Sequence, residues 1–187
     1  MADDPVAYAV EGSHVVYDGE LSRVRVDRVR MPDGSLATRE IVEHPDAVAV
    51  VPVQDDGTVV LLRQYRHPVG TTVLEVPAGK LDVTGEEPGA AARRELAEEV
   101  GLSAGALAEL LTFHNSSGWT DETTTVYLAT DLRAVDAPAD FTAEAEEADM
   151  EVVRMPLAEA ADAARRGELT DAKTVIGLLL AAARLDA

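Results

Sequence analysis

Three glutamates at helical spacing, Glu95, Glu98 and Glu99, are the residues of this sequence best suited to chemistry. On an α-helix Glu95 and Glu99 lie about 40° apart and Glu98 lies about 60° to the other side of Glu95, so the three carboxylates share one face. Oxygen ligands at this density suit a hard divalent cation, Mg²⁺ or Mn²⁺, better than zinc. The alternative is a solvated acidic face on an acidic protein. Arg94 beside Glu95, and the glycine-containing loop before the helix, favour the cation site.

The segment from Gly79 to Leu102 resembles the Nudix box, which ends in an Arg-Glu-apolar-any-Glu-Glu-any-Gly-apolar run. The matching residues are Gly79, Glu86, Arg94, Glu95, Leu96, Glu98, Glu99, Gly101 and Leu102. One departure is that six residues instead of five separate Gly79 from Glu86, and an insertion in a loop costs little. Further segments resemble ADP-ribose pyrophosphatases of the actinobacterial type: 61–68, 74–79, 116–122 and 146–150. The resemblance covers roughly residues 12–180 and implies a Nudix hydrolase.

The resemblance implies a metal site for Mg²⁺ or Mn²⁺ and residues that support it. The candidate ligands are three side chains and one backbone carbonyl: Glu95, Glu99, Glu98 and Ala78 (carbonyl). Arg94 would orient the carboxylates, and the alternative for Arg94 is a helix-surface ion pair of little energetic value. Glu86 would support the loop without contacting the metal.

A catalytic base is expected in the acidic loop 143–149, because related enzymes often place the base there and not in the box. Glu146 is the first candidate and Glu147 the second. Glu98 and Arg94 are the catalytic candidates within the box itself. A solvated loop with no catalytic role is the alternative for residues 143–149.

The same resemblance marks five residues as candidates for substrate binding. They are Arg39, Arg63, Arg66, Trp119 and Glu122. Arg66 would lie near a diphosphate, and Arg39 would reach a nucleotide from its own subunit or from the partner of a homodimer. For each of these two arginines a surface ion pair is the alternative. Trp119 would stack on adenine or simply cover its loop, and Glu122 would contact a substrate ribose.

The expected reaction is divalent-metal-dependent hydrolysis of ADP-ribose to AMP and ribose 5-phosphate. Two alternatives stay open: a Nudix hydrolase of another nucleotide sugar such as GDP-mannose, and a non-catalytic module that binds ADP-ribose as a sensor. Sensor modules usually lose a box glutamate or the arginine, whereas this chain keeps them. Ser117 stands where ADP-ribose pyrophosphatases usually have a proline. Because proline would lock φ at that turn, the substrate is less well determined than the reaction.

Composition excludes several classes of partner. The 187 residues include 16 Lys and Arg against 35 Asp and Glu, a net charge of −19, and no cysteine. Nucleic acid and anionic membrane surfaces are not expected partners, because both require clustered basic residues. No disulfide, thiolate metal site or cysteine nucleophile is available. The short apolar runs and the acidic N-terminus predict neither a membrane span nor a signal peptide, so we expect a soluble cytoplasmic protein.

The elements that must position these residues are predicted from turn signals and periodicity. Short β-branched stretches between Gly and Pro turns in residues 14–44 predict antiparallel hairpins. Further strands are expected over 47–53, 58–66, 71–76, 122–132 and 150–155, and helices over 90–100, 157–166 and 170–185. This mixture predicts an α+β fold, the α/β/α sandwich of Nudix proteins, with a small N-terminal antiparallel β lobe. We expect residues 1–45 to form the lobe and to dimerise, and residues 46–187 to form the catalytic domain.

Overall fold

The computed structural model describes residues 8–138 and 149–185, which form two compact units. The first unit contains residues 8–45 and 114–123. The second contains residues 46–113, 124–138 and 149–185. The segment 114–123 therefore packs with the N-terminal residues, although it comes much later in the chain. The dimerising role of residues 1–45 stays a prediction.

The first unit is built on an antiparallel sheet of three strands in the order β1-β2-β3. The strands are β1 (Ala9–Asp18), β2 (Arg23–Arg30) and β3 (Leu36–Glu43). The predicted hairpins are thus confirmed. The segment 114–123 is bound to β3 by two hydrogen bonds: the Val42 N–H donates to the Trp119 carbonyl at 2.9 Å, and the Thr120 hydroxyl donates to the Val42 carbonyl at 2.7 Å.

The remaining strands form two sheets. They are β4 (Ala47–Pro52), β5 (Thr58–Arg66), β6 (Thr71–Glu75), β7 (Ala78–Lys80), β8 (Leu102–His114), β9 (Thr123–Ala134) and β10 (Glu151–Pro156). One sheet has the order β7-β4-β9-β8, with β4 and β9 parallel, and the other has the order β10-β5-β6. The helices are α1 (Pro88–Val100), α2 (Leu157–Arg165) and α3 (Ala172–Leu185). In the described ranges none of these helices has the length and apolarity to cross a membrane.

The central strands are apolar on both faces, because each face packs against helices. In β4, Val48 and Val50 belong to the core that includes Leu96 of α1. Ala49 and Val51 belong to the opposite core, together with residues of α2 and α3. Strands β5 and β9 alternate between the two cores in the same way. This arrangement confirms the predicted α/β/α sandwich.

The main local difference from the expected elements is β8. The sequence analysis assigns no element to residues 102–114, whose alanines, leucines and glutamate are good helix formers. In the structure Thr112 of β8 pairs with Thr125 of β9, their hydroxyls 3.0 Å apart. Pairing with β9 overrides the local propensity.

Candidate active site

A polar cavity of about 270 Å³ lies beside α1 in the second unit. Its lining combines four acids, three bases, one amide and two backbone positions. These residues are Asp82, Glu95, Glu98, Glu99, Arg66, Lys80, Arg94, Gln64, Ala78 and Gly79. The cavity therefore gathers the predicted metal ligands, Arg94 and Arg66.

Helix α1 presents the glutamates to this cavity because its other face is apolar. Ala92 and Leu96 are fully buried, and Val100 is nearly so, in the core against β4. Pro88 occupies the first turn, where a missing N–H costs nothing. Gly101 ends the helix with φ 64°, and its N–H donates to the carbonyls of the last turn. The predicted helix and its end at Val100 are confirmed, and the helix begins at Pro88, two residues before the predicted start.

Arg94 connects three glutamates. Its guanidinium donates to Glu86 at 3.1 and 3.2 Å, to Glu95 at 2.7 Å and to Glu98 at 2.9 Å. These hydrogen bonds, first of all those to Glu86, raise the pKa of Arg94 above its ordinary value. Burial raises the pKa of Glu95, and the charge of Arg94 offsets part of that effect.

The segment before the helix is held against α1 by a hydrogen bond to Glu99, and Gly79 permits its close approach to the helix. The Ala78 N–H donates to Glu99 Oε2 at 2.9 Å, which fixes the segment whose carbonyl was predicted as a ligand. A Cβ added to Gly79 would overlap the Glu95 carboxylate. Because Gly79 has no Cβ, the Glu95 carboxylate can occupy the space beside it. This gives a physical reason for glycine at that position of the box.

The donor set fits a hard divalent cation in its chemistry. Carboxylate and carbonyl oxygens line the cavity, with no sulfur or imidazole among its lining residues. Among the described residues, no three acidic, histidine or cysteine side chains lie close enough together to hold a metal ion between them as they stand. Arg94 supplies the counter-charge in the structure, and Glu95, Glu98, Glu99 and the Ala78 carbonyl are the oxygens available to a cation.

The N-terminal unit has a cavity of its own, of about 420 Å³, which brings Arg39 and Trp119 together. Arg39 is exposed and donates to the Thr38 carbonyl at 2.8 Å, and Trp119 is 59% exposed. Glu122 lies in the same unit, where its carboxylate is 3.1 Å from His44 Nδ1. An exposed indole beside a cation is available for stacking on a flat ligand.

Three groups of predicted residues fall outside these cavities. Glu122 belongs to the N-terminal unit but lines neither cavity. Arg63 lies on the face of β5 opposite Gln64 and pairs with Glu151 at 3.1 Å on the surface, and it lines neither cavity. The two candidate bases, Glu146 and Glu147, lie outside the described residues. Their role stays a prediction.

Three cavity residues escaped prediction: Gln64, Lys80 and Asp82. The position of Gln64 could have been predicted from the sequence, because it lies two residues before Arg66 on a strand and alternate residues of a strand share one face. Lys80 and Asp82 flank Leu81 directly after Gly79. Their place in the cavity depends on the short strand β7, which pairs with β4 through Lys80 and Ala47.

Comparison with known proteins agrees with this architecture. Residues 43–175 match the model of the NUDIX domain, and residues 10–42 match the nucleoside diphosphate sugar hydrolase N-terminal domain. The chain belongs to the NUDIX domain family.

Individual relatives resemble the chain over most of its length. It is 45% identical over 167 residues to an ADP-ribose pyrophosphatase of Mycobacterium tuberculosis, covering 89% of this chain and 79% of that protein. It is 37% identical to an ADP-ribose pyrophosphatase of Bacillus subtilis, covering 87% and 86%. A crystal structure described as an ADP compounds hydrolase superposes with a TM-score of 0.82 at 26% identity, covering 96% and 94%.

Proposed function

We propose that this chain is a divalent-metal-dependent pyrophosphate hydrolase that cleaves ADP-ribose to AMP and ribose 5-phosphate. The observation that carries the proposal is the polar cavity beside α1. Three glutamates of α1 line it together with two cationic side chains: Glu95, Glu98, Glu99, Arg66 and Lys80. Oxygen ligands for a cation and positive charges for phosphate oxygens are the two requirements of pyrophosphate cleavage. The ADP-ribose pyrophosphatases among the relatives support the choice of substrate.

The metal site is assigned to Glu95, Glu99, Glu98 and the Ala78 carbonyl. A bound divalent cation supplies charge neutralisation at the phosphate and a lowered pKa for its bound water. Arg94 holds Glu95 and Glu98 in place, which limits their mutual repulsion before a cation binds. Mg²⁺ and Mn²⁺ both suit the oxygen donors, and Mg²⁺ is the proposed ion.

The cleavage step is a hydrolysis in which water adds to one phosphorus of the diphosphate. The bond between that phosphorus and the bridging oxygen breaks, and the other phosphate leaves with that oxygen. Glu146 is assigned as the base that accepts the proton of the attacking water, with Glu147 as second candidate. Arg66 and Lys80 stabilise the charge that develops on the phosphate oxygens.

The nucleoside end of the substrate is assigned to residues of the N-terminal unit. Trp119 offers a face for adenine, and Arg39 supplies a cation beside it. Glu122 is assigned to a substrate ribose, and Arg63 stays a weaker candidate because it pairs with Glu151. Assembly as a homodimer, with Arg39 reaching the nucleotide of the partner, and a cytoplasmic location are further predictions from the sequence.

Turnover of three substrates tests the proposal. The purified chain in Mg²⁺ is given ADP-ribose, GDP-mannose or NADH, and the nucleoside monophosphate that each releases (AMP, GMP and AMP, respectively) is measured by chromatography, together with ribose 5-phosphate for ADP-ribose. We expect the highest kcat/KM for ADP-ribose and no measurable turnover in the Glu95→Gln/Glu99→Gln double variant. Glu168→Gln, on the exposed surface of the same unit, is the matched control and keeps wild-type turnover.

The same assay separates the alternatives. A higher kcat/KM for GDP-mannose would assign the chain to another nucleotide sugar. Tight binding of ADP-ribose by calorimetry without any product would identify a sensor. Unchanged turnover in the Glu95→Gln/Glu99→Gln variant would contradict the metal site itself.

A further inference from the structure

A second cluster of charged residues adjoins the cavity through Arg66, and the reaction as described gives its other members no role. Its centre is Glu75, which is 2% exposed. Arg66 binds Glu75 through two hydrogen bonds, from Nε to Oε1 at 2.8 Å and from Nη2 to Oε2 at 2.9 Å. Lys173 Nζ also donates to Glu75 Oε2 and to Asp171 at 2.9 Å. Four charged side chains thus form one continuous network.

The network joins the start of α3 to the strand that leads into the metal-binding loop. Asp171 accepts the Thr174 N–H at 2.9 Å and so caps α3. The Thr174 hydroxyl accepts the Val76 N–H at 2.9 Å. Since Val76 is two residues before Ala78, the cap of α3 and the candidate ligand loop are held together by consecutive hydrogen bonds.

The charge of Glu75 is kept in spite of its burial. Burial by itself would raise the pKa of Glu75, but the hydrogen bonds of Arg66 and the charge of Lys173 outweigh it, so the pKa lies below its ordinary value. A buried carboxylate of this kind is tolerated only when its hydrogen bonds are satisfied. Glu75 is therefore an anion with two fixed cationic partners.

The bidentate contact uses one edge of the Arg66 guanidinium and leaves Nη1 outside it. Arg66 also lines the cavity with Glu95, Glu98 and Glu99. Lys173 donates to both Glu75 and Asp171, so Glu75 has a second cationic partner besides Arg66. The remaining donors of Arg66 are therefore not required by Glu75. A side chain that is otherwise free to rotate is held in one orientation at the wall of the cavity.

We propose that Glu75 is a positioning residue that holds the Arg66 guanidinium with its free edge toward the substrate diphosphate, and that Lys173 supports Glu75 in this role. The proposal rests on the proposed function for the identity of the substrate. It adds two residues outside the Nudix box to those on which the reaction depends. Glu75 and Lys173 act through Arg66 and do not contact the diphosphate themselves.

A double-mutant cycle tests whether Glu75 acts through Arg66. Misplacement of a positioning group by about 1 Å can cost on the order of 100-fold in rate, and we expect Glu75→Gln to lower kcat/KM by about 10- to 100-fold. The variant Arg66→Gln should lose at least as much. The double variant Glu75→Gln/Arg66→Gln should be no less active than Arg66→Gln alone, because the interaction is already lost. Losses that multiply in the double variant would overturn the proposal and assign Glu75 a purely structural role.

Three further variants extend the test, and all variants are assayed at a temperature at which circular dichroism shows each one folded. Lys173→Arg keeps the charge and should retain most of the activity, whereas Lys173→Met should lose part of it. Glu168→Gln removes an exposed bidentate contact of the same kind, with Arg166 at 2.7 and 2.9 Å, and should have no effect. Wild-type kcat/KM in Lys173→Met would contradict the role of Lys173.

A measurement on the wild-type chain needs no folded variant of Glu75. The ¹⁵N-detected Nε–H signal of Arg66, assigned by its loss in Arg66→Lys, should exchange slowly with water because Glu75 accepts that hydrogen. Arg133 provides the fast reference, since its side chain is 76% exposed and its contact with Asp131 runs through Nη2 and not through Nε. Fast exchange at Arg66 would contradict the positioning role alone. Lack of wild-type turnover with any of the three substrates would contradict the proposed function alone.

Discussion

At the scale of single residues, Arg94 explains how three carboxylates can lie on one face of a helix. Glu95 and Glu98 would repel each other at this separation, and Glu86 would add to the repulsion. One planar guanidinium reaches all three because its donors point in several directions. A lysine has a single ammonium group and could not replace it. The arginine of the box thus has a charge-balancing role that is visible in the hydrogen bonds.

The catalytic base is the residue-scale prediction that rests on the sequence alone. Removing a general base typically costs about 10²- to 10⁴-fold in rate, so Glu146→Gln should lower kcat within this range. Its affinity for Mg²⁺, measured by calorimetry, should stay at the wild-type value. Glu147→Gln serves as the comparison and should lose much less. Near-normal turnover in Glu146→Gln would reject the assignment.

At the scale of elements, the contact between β7 and α1 sets the place of Glu95. In Gly79→Ala the added methyl group would overlap the Glu95 carboxylate. Because that carboxylate ends a flexible side chain, it can move aside at a cost of less than about 1 kcal/mol in folding free energy. We expect a nearly unchanged Tm but at least about tenfold weaker binding of Mg²⁺, since the ligand is displaced.

Gly89→Ala in the same helix is the control for that experiment. A Cβ at Gly89 would meet only Leu107, at an ordinary 3.9 Å. This change should raise stability slightly, by up to about 1 kcal/mol, because alanine favours the helix. Its Mg²⁺ affinity should equal that of the wild type. Equal Mg²⁺ affinity in Gly79→Ala would show that the Glu95 position does not matter for the cation.

The junction of β6 and α3 predicts a pH-dependent contribution to stability. The pKa of Glu75 is lower in the folded chain than its ordinary value. Its ion pairs therefore contribute fully above the unfolded pKa of about 4.3, and the contribution is lost as the pH falls through the folded value. Glu75→Gln should cost about 3 kcal/mol at pH 7 and less at pH 3, where the advantage of the carboxylate is reduced. Urea titrations of both proteins at the two pH values measure the difference, and a cost independent of pH would contradict the charge of Glu75.

How far the sequence predicts these elements depends on whether the signal is local. Helix α1 is readable because Pro88, Gly101 and the buried Leu96 face all lie within one segment. Strand β8 is not readable, because its residues favour a helix and only pairing with β9 makes it a strand. The contact between Glu75 and Lys173 joins residues 98 positions apart. No local sequence pattern indicates such a pair, so the contact between Glu75 and Lys173 could be found only from the structure.

At the scale of the whole molecule, the net charge of −19 opposes the approach of an anionic nucleotide. Bound cations and the local positive charges of Arg66 and Lys80 must overcome this repulsion. A ligand that binds only the folded state stabilises it by about 2.7 kcal/mol at one hundred times its Kd. Saturating Mg²⁺ should therefore raise the Tm by several degrees.

A thermal-shift series separates site binding from general screening of charge. NaCl at the same ionic strength should raise the Tm much less than MgCl₂. The Glu95→Gln/Glu99→Gln variant should respond to both salts alike. An equal response of the wild type to both salts would show that Mg²⁺ acts only by screening the acidic surface.

The bond from the Ala78 N–H to Glu99 Oε2 has a practical consequence for anyone who studies this position. Truncating Glu99 to alanine would remove a proposed cation ligand and release the backbone of the preceding loop in one step, so the resulting defect would have two causes. Glutamine keeps an oxygen that can accept the amide hydrogen and removes only the negative charge. The pair of substitutions, compared side by side, would divide the contribution of residue 99 between electrostatics and loop anchoring.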